Sequence, residues 1–223
     1  MKKTYIISLT IILTLAAMAF VISGFNKENG SITSSQTKIK LLPPEKTGGM
    51  PVMEALNKRH SSRNISTKKI SDQELSNLLW AAFGISRDES GKRTAPTAND
   101  TRAMDVYVIM VNGAYKYSAE DHSLDLVTDK DLRTFAGKQD FVFTAPVNLV
   151  YVADYSKLKD GSDKEIYSGA HAGFIGENVY LYCTSAGLGT VVRAWVDKES
   201  LAKELLLTEN QKIILAQTVG YTE

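Results

Sequence analysis

Among 223 residues there is one cysteine, Cys183, which excludes an intramolecular disulfide framework and any zinc site built on several thiolates. Histidine is nearly as scarce: His60, His122 and His171 lie far apart with no ligand spacing between them, so no metal site is expected. Charge of one sign is also missing, with 26 basic residues against 25 acidic ones, and a nucleic-acid or strongly anionic partner is not indicated. There is no Gly-Lys-Ser phosphate loop, and Gly187-x-Gly189 lacks the third glycine and the preceding strand of a dinucleotide fingerprint. What the chain does have is apolar material, 43% of its residues, enough for one well-packed core.

The N-terminus is organised as a targeting segment. Lys2 and Lys3 precede an apolar run from Tyr5 to Val21, with Ala17-Met18-Ala19 as a small-x-small cleavage site. The run continues to Phe25, so residues 1–25 read either as a cleaved signal peptide or as an uncleaved anchor. No cysteine follows it, which rules out a lipoprotein anchor. An exported protein is expected, periplasmic, extracellular or tethered to the membrane. Residues 26–49 turn polar, with Ser31, Ser34, Ser35, Pro43, Pro44, Gly48 and Gly49, and read as a flexible linker to a domain spanning 50–223.

Within that domain Pro51, Val52, Met53 and Leu56 predict a short helix reaching Lys58 or His60. Ser71 and Glu74 form a capping box, followed by a buried stripe of Leu75, Leu78, Leu79 and Ala82 that ends near Gly84. Asp105 to Val111 predicts a strand, and Asn112-Gly113 a hairpin into a second run from Ala114 to Tyr117. Val147 to Ala153 predicts another strand buried on both faces. The longest helix is expected over Ile166 to Ala186, stopped by Gly187, with another backbone close to Gly173 and Gly176. A helix from Lys198 to Leu207, capped by Asp197, and a strand from Lys212 to Val219 complete an α+β pattern around an antiparallel or mixed sheet.

The most informative segment for chemistry is Lys58-Arg59-His60-Ser61-Ser62-Arg63, where two guanidinium groups and two hydroxyls follow a helix. Guanidinium grips phosphate bidentately and stays charged, though the same residues would also complement the helix dipole. Further along come Arg93-Thr94-Ala95-Pro96-Thr97-Ala98-Asn99 and Gly187-Leu188-Gly189-Thr190-Val191-Val192-Arg193. In this order the three segments resemble those of the nitroreductase family. The resemblance runs from Met50 to Tyr221 and takes in Leu78-Leu79-Trp80-Ala81-Ala82, Thr144-Ala145-Pro146 and Gln217-Thr218-Val219-Gly220-Tyr221.

That resemblance implies a mostly antiparallel sheet flanked by helices, and a homodimer holding FMN between its subunits. NADH or NADPH would reduce the flavin, and a small organic acceptor such as a quinone or nitroaromatic would reoxidise it. Arg59 and Ser61 would hold the FMN phosphate or ribityl chain, with His60 contributing mainly backbone. Arg63 would lie at the pyrimidine edge as the catalytic charge that stabilises the reduced ring. Pro96, Thr97 and Ala98 resemble the turn laid against the flavin by the partner, and Gln139 is a candidate for a bond to the pyrimidine edge. Val192, Arg193 and Ala194 would present backbone N–H groups to the ring.

Three departures from the family pattern bear on the pocket. Asp100 and Arg102 stand where asparagine and glutamine are common, and Arg193 and Trp195 add bulk where many members have glycine nearby. Longer members carry C-terminal basic phosphate ligands beyond the point where this sequence ends. Two other readings stay open: dehydrogenation of peptide heterocycles, since the Leu-Leu-Trp-Ala-Ala and Arg-Thr-Ala-Pro stretches resemble the azoline-dehydrogenase branch, and an exported flavin-binding module without turnover.

Overall fold

A computed structural model describes residues 37–223. The expected signal peptide or anchor, residues 1–25, and the first part of the linker lie outside this range. The remainder of the linker departs from expectation: Lys38–Lys40 form a short strand, β1, hydrogen-bonded antiparallel to a later strand at Ser123–Thr128. Leu41 directly after β1 is buried, and it is this apolar side chain that a composition-based reading of the segment overlooks.

Helix α1 spans Val52–Lys58 and buries only Ala55, leaving Val52, Met53 and Leu56 exposed. Helix α2, Asp72–Phe83, begins with both reciprocal bonds of the expected Ser71–Glu74 capping box and buries Leu75, Leu78, Leu79 and Ala82. A small hairpin follows, β2 (Ile85–Arg87) with β3 (Lys92–Arg93). The main strands are β4 (Met104–Met110), β5 (Gly113–Ser118), β6 (Ser123–Thr128), β7 (Val147–Asp154), β8 (Gly189–Arg193) and β9 (Gln211–Gly220). Between them stand α3 (Asp140–Thr144), α4 (Lys164–Ala186) and α5 (Lys198–Glu204).

The seven strands run β1-β6-β5-β4-β7-β9-β8, and each neighbouring pair is antiparallel. Alternation along β4 and β7 sends Val106, Val108, Leu149 and Tyr151 to the face covered by α2 and α4. Tyr107, Ile109, Val150 and Val152 go to the opposite face, against Val142 of α3 and Leu201 of α5. Cover on both faces is why these strands read as continuous apolar runs.

Helix α4 stops where the sequence says it should, with Gly187 in the left-handed conformation at φ 71°. The expected backbone approach at its glycines does not occur among the described residues. Gly176 meets the side chains of Val192, Gln217 and Tyr151, while Gly169 and Gly173 face open space. Together with Ile166, Tyr167, Ala170 and Phe174 they form an exposed stripe of small and apolar residues at helical spacing.

Candidate functional site

The arm leaving α1 is fastened to the edge of β8. Ser62 N–H donates to the Thr190 carbonyl at 2.9 Å, and Ile65 forms a bridge with Thr222. The approach is close enough that a Cβ on Gly189 would lie 3.0 Å from Ser62 Cβ and collide with the Thr222 methyl, which explains the glycine of the Gly-Leu-Gly-Thr segment. This fastening gathers several of the sequence candidates around Tyr180 of α4. The Arg59 guanidinium lies 5.1 Å from the centre of the Tyr180 ring, and Ser61 Oγ is 2.8 Å from its hydroxyl. The same hydroxyl accepts the Val192 N–H at 3.0 Å. The sequence around Tyr180 reads as core packing and does not reveal this role, because its partners lie 119 positions upstream and 12 downstream.

His60 points to solvent and its Nδ1–H donates to the Lys58 carbonyl at 2.9 Å. Arg63 is exposed and has no carboxylate partner among the described residues. Arg59 likewise stacks on an aromatic ring instead of pairing with an acid, so both guanidinium groups retain their capacity for an anion.

The Val192–Ala194 stretch corrects two expectations. The Val192 N–H is already taken by Tyr180 and does not point freely into a pocket. The Arg193 side chain adds no bulk to the site: it turns inward and is buried, donating from Nη1 to the Ala136 carbonyl (2.6 Å), from Nη2 to Asn148 Oδ1 (3.0 Å) and from Nε to Thr218 Oγ1 (3.1 Å). Burial pulls its guanidinium down to about 10. Of the three residues only Ala194 is exposed, and Trp195 beside it also faces outward.

Arg193 ties β8 to the loop that carries Gln139. Gly137 has no room for a Cβ beside the Arg193 guanidinium, and Gln139, at the start of α3, keeps a buried Oε1 with no partner. We expect Arg193→Ala to lower stability by on the order of 3 kcal/mol, since it leaves a cavity and strips the Ala136 carbonyl of its donor. Arg193→Met fills the space and removes the buried charge, so it should cost less. Urea unfolding of the two variants beside the parent measures both.

The Pro96–Ala98 turn lies elsewhere. Its Ala98 N–H donates to His171 Nε2 at 2.8 Å, and His171 precedes Tyr180 by nine residues on α4. At 1.5 Å per residue the two anchors are about 14 Å apart along the helix axis. A single chain therefore carries the Arg59 cluster and the turn as separate features. A cleft of ≈ 770 Å³ lined by Ile39, Leu41, Leu75, Met110, Leu124 and Phe143 holds none of the candidate residues. Cys183 is buried on α4 and burial pushes its thiol up, which fits a packing role and no nucleophilic one.

The model of the nitroreductase family matches residues 56–221. The chain belongs to the nitroreductase family. It is 34% identical over 175 residues to the nitroreductase-family protein MJ1384 of Methanocaldococcus jannaschii, covering 73% of this chain and 87% of that one. Among solved structures, a nitroreductase-family protein of Ralstonia eutropha JMP134 superposes with a TM-score of 0.80 at 41% identity, covering 86% of this chain and 92% of the other. A chain of the Escherichia coli microcin synthetase McbBCD complex shares the fold at 18% identity, with a TM-score of 0.67 and coverage of 82% and 77%. The mostly antiparallel sheet with flanking helices is the nitroreductase fold, and membership makes this chain a flavin-dependent oxidoreductase.

The donor set of this nitroreductase suits a flavin nucleotide. Two arginines without carboxylate partners among the described residues and a serine hydroxyl match a phosphate and polyol, and the orphaned Gln139 Oε1 is an acceptor suited to a ring N–H.

Proposed function

We propose that this nitroreductase is an exported homodimer that holds FMN between its subunits and passes electrons from NADH or NADPH to a small organic acceptor such as a quinone or nitroaromatic. The observation that carries this reading is the separation of the Arg59–Ser61–Tyr180 cluster from the Ala98–His171 anchor along α4. A turn that cannot reach the cluster in its own chain can meet it across a two-fold axis, where one copy's turn faces the other copy's arginines. The exposed stripe of Ile166, Gly169, Ala170, Gly173 and Phe174 supports that packing, as do the exposed Val52, Met53 and Leu56 of α1.

In this reading Arg59 and Ser61 hold the phosphate and polyol, and Gln139 orients the ring edge. Arg63 supplies a fixed positive charge where negative charge develops on reduction. FMN, when bound, supplies the hydride and electron chemistry. The likeness to the microcin synthetase chain is one of fold, so dehydrogenation of peptide heterocycles is not carried further. The Lys2–Phe25 pattern supports export.

The test is the purified protein. It should be yellow and dimeric, and anaerobic addition of NADH or NADPH should bleach the flavin band. A colourless monomer with no affinity for added FMN would overturn the reading. A yellow dimer that no nicotinamide bleaches would make it a binding module.

A further inference from the structure

The arrangement around His171 is not explained by packing alone. The residue is 2% exposed, yet one ring nitrogen, Nδ1, has no hydrogen-bond partner among the described residues. The other, Nε2, accepts the Ala98 N–H at 2.8 Å. An acceptor nitrogen carries no hydrogen, so the proton sits on Nδ1 and the imidazole is neutral. Burial favours that neutral form.

The turn held by this bond has an unusual backbone. Asn99, Asp100 and Arg102 lie at φ 53°, 52° and 49°, a region that asparagine and aspartate tolerate and arginine seldom adopts. The other bonds that shape the turn are local: Asp100 N–H to the Thr97 carbonyl, Thr101 N–H to the Ala98 carbonyl, Arg102 N–H to Thr97 Oγ1, and the Arg102 side chain to Asp100 and Ser90. Among the described residues, only the Ala98–His171 bond ties residues 97–102 to a distant element, across 73 positions to α4. Strained backbone persists where its surroundings hold it, and this bond is the tether.

We propose that His171 is a positioning residue for the cofactor: its imidazole lone pair fixes the 97–102 turn in the shape presented to the FMN of the partner subunit. This rests on the interfacial FMN reading above. The role requires an acceptor at the Nε2 position and does not require a charge.

Two substitutions approach the bond from opposite sides. His171→Phe keeps a flat ring and removes the acceptor. Ala98→Pro removes the donor, and Thr97 before it is already extended at φ −131° and ψ 147°, as a residue preceding proline must be. His171→Gln restores an acceptor oxygen. The readouts are hydrogen exchange of the 97–102 segment in cofactor-free dimers and FMN affinity by titration.

Loss of one buried hydrogen bond should speed segment exchange and weaken FMN by roughly tenfold in both His171→Phe and Ala98→Pro. Their double variant should be no worse than either alone, and His171→Gln should return both readouts to within about threefold of the parent. Parent-like exchange and affinity in folded, dimeric Ala98→Pro would overturn the proposal. So would a His171→Gln variant as impaired as His171→Phe, since the acceptor would then not matter. If the parent itself binds no FMN, the cofactor reading falls. A turn that still loosens in His171→Phe would then mark a structural tether alone, and an unchanged one no tether at all.

Discussion

Replacing Gly173 with arginine should leave a folded monomer that has lost its flavin, with turnover below about a hundredth of the parent value. The reasoning separates folding from assembly. Gly173 lies on the outer face of α4, and a Cβ there meets nothing within 4 Å among the described residues. Within the single subunit the substitution only exchanges a poor helix former for a good one, a gain of roughly 0.5–1 kcal/mol. In a dimer packed through this stripe, the same side chain and its charge would enter a face lined by Gly169, Ala170 and Phe174, where neither volume nor desolvation is compensated. The thermal midpoint of the separated subunit should therefore hold while sedimentation shifts from dimer to monomer and the yellow colour washes out. A variant that stays dimeric and yellow would remove α4 from the interface.

Arg63→Ala should slow flavin reduction on the order of 10²-fold while leaving most of the FMN bound, the magnitude expected for loss of one preorganised charge at a developing anion. Arg59→Ala should do the opposite, weakening FMN retention with little change in the reduction rate of the flavin that remains. The contrast follows from placement: Arg59 rests against Tyr180 beside the Ser61 hydroxyl, whereas Arg63 extends from the arm with no carboxylate to neutralise it. Stopped-flow mixing with NADH or NADPH under anaerobic conditions separates the two. Identical reduction rates in parent and folded Arg63→Ala would withdraw the catalytic role given to that side chain.

Much of the scaffold was legible wherever one periodicity ran long enough. The α2 stripe, the β4 and β7 runs and the Gly187 stop of α4 all occur within a residue or two of where the pattern puts them. Short elements escaped for a physical reason. β8 is five residues long and opens on a glycine, and what makes it a strand is pairing with β9 and not its own composition. β6 did carry a signal, Leu124 and Leu126 alternating with Asp125, but it is interrupted at once by His122 in the left-handed region.

The sequence names candidate donors for the site and not their geometry. Arg59, Ser61 and Val192 converge on Tyr180, yet that tyrosine sits in a helix whose local sequence reads as ordinary packing. Arg193 reads as a pocket residue and is an interior strut, because alternation along β8 sends neighbouring side chains to opposite faces. His171 gave no local hint at all, since its partner is a backbone amide in another part of the chain.

The two rims of the sheet show how the molecule avoids the wrong kind of self-association. At one rim stands β1, three residues long, with Lys38 and Lys40 placed where an incoming strand would have to align. At the other, the Ser62 amide already occupies the Thr190 carbonyl of β8. Among the described residues a second copy thus meets one rim that is short and flanked by lysines and another whose carbonyl is already taken, so growth into fibrils by edge-to-edge stacking is disfavoured.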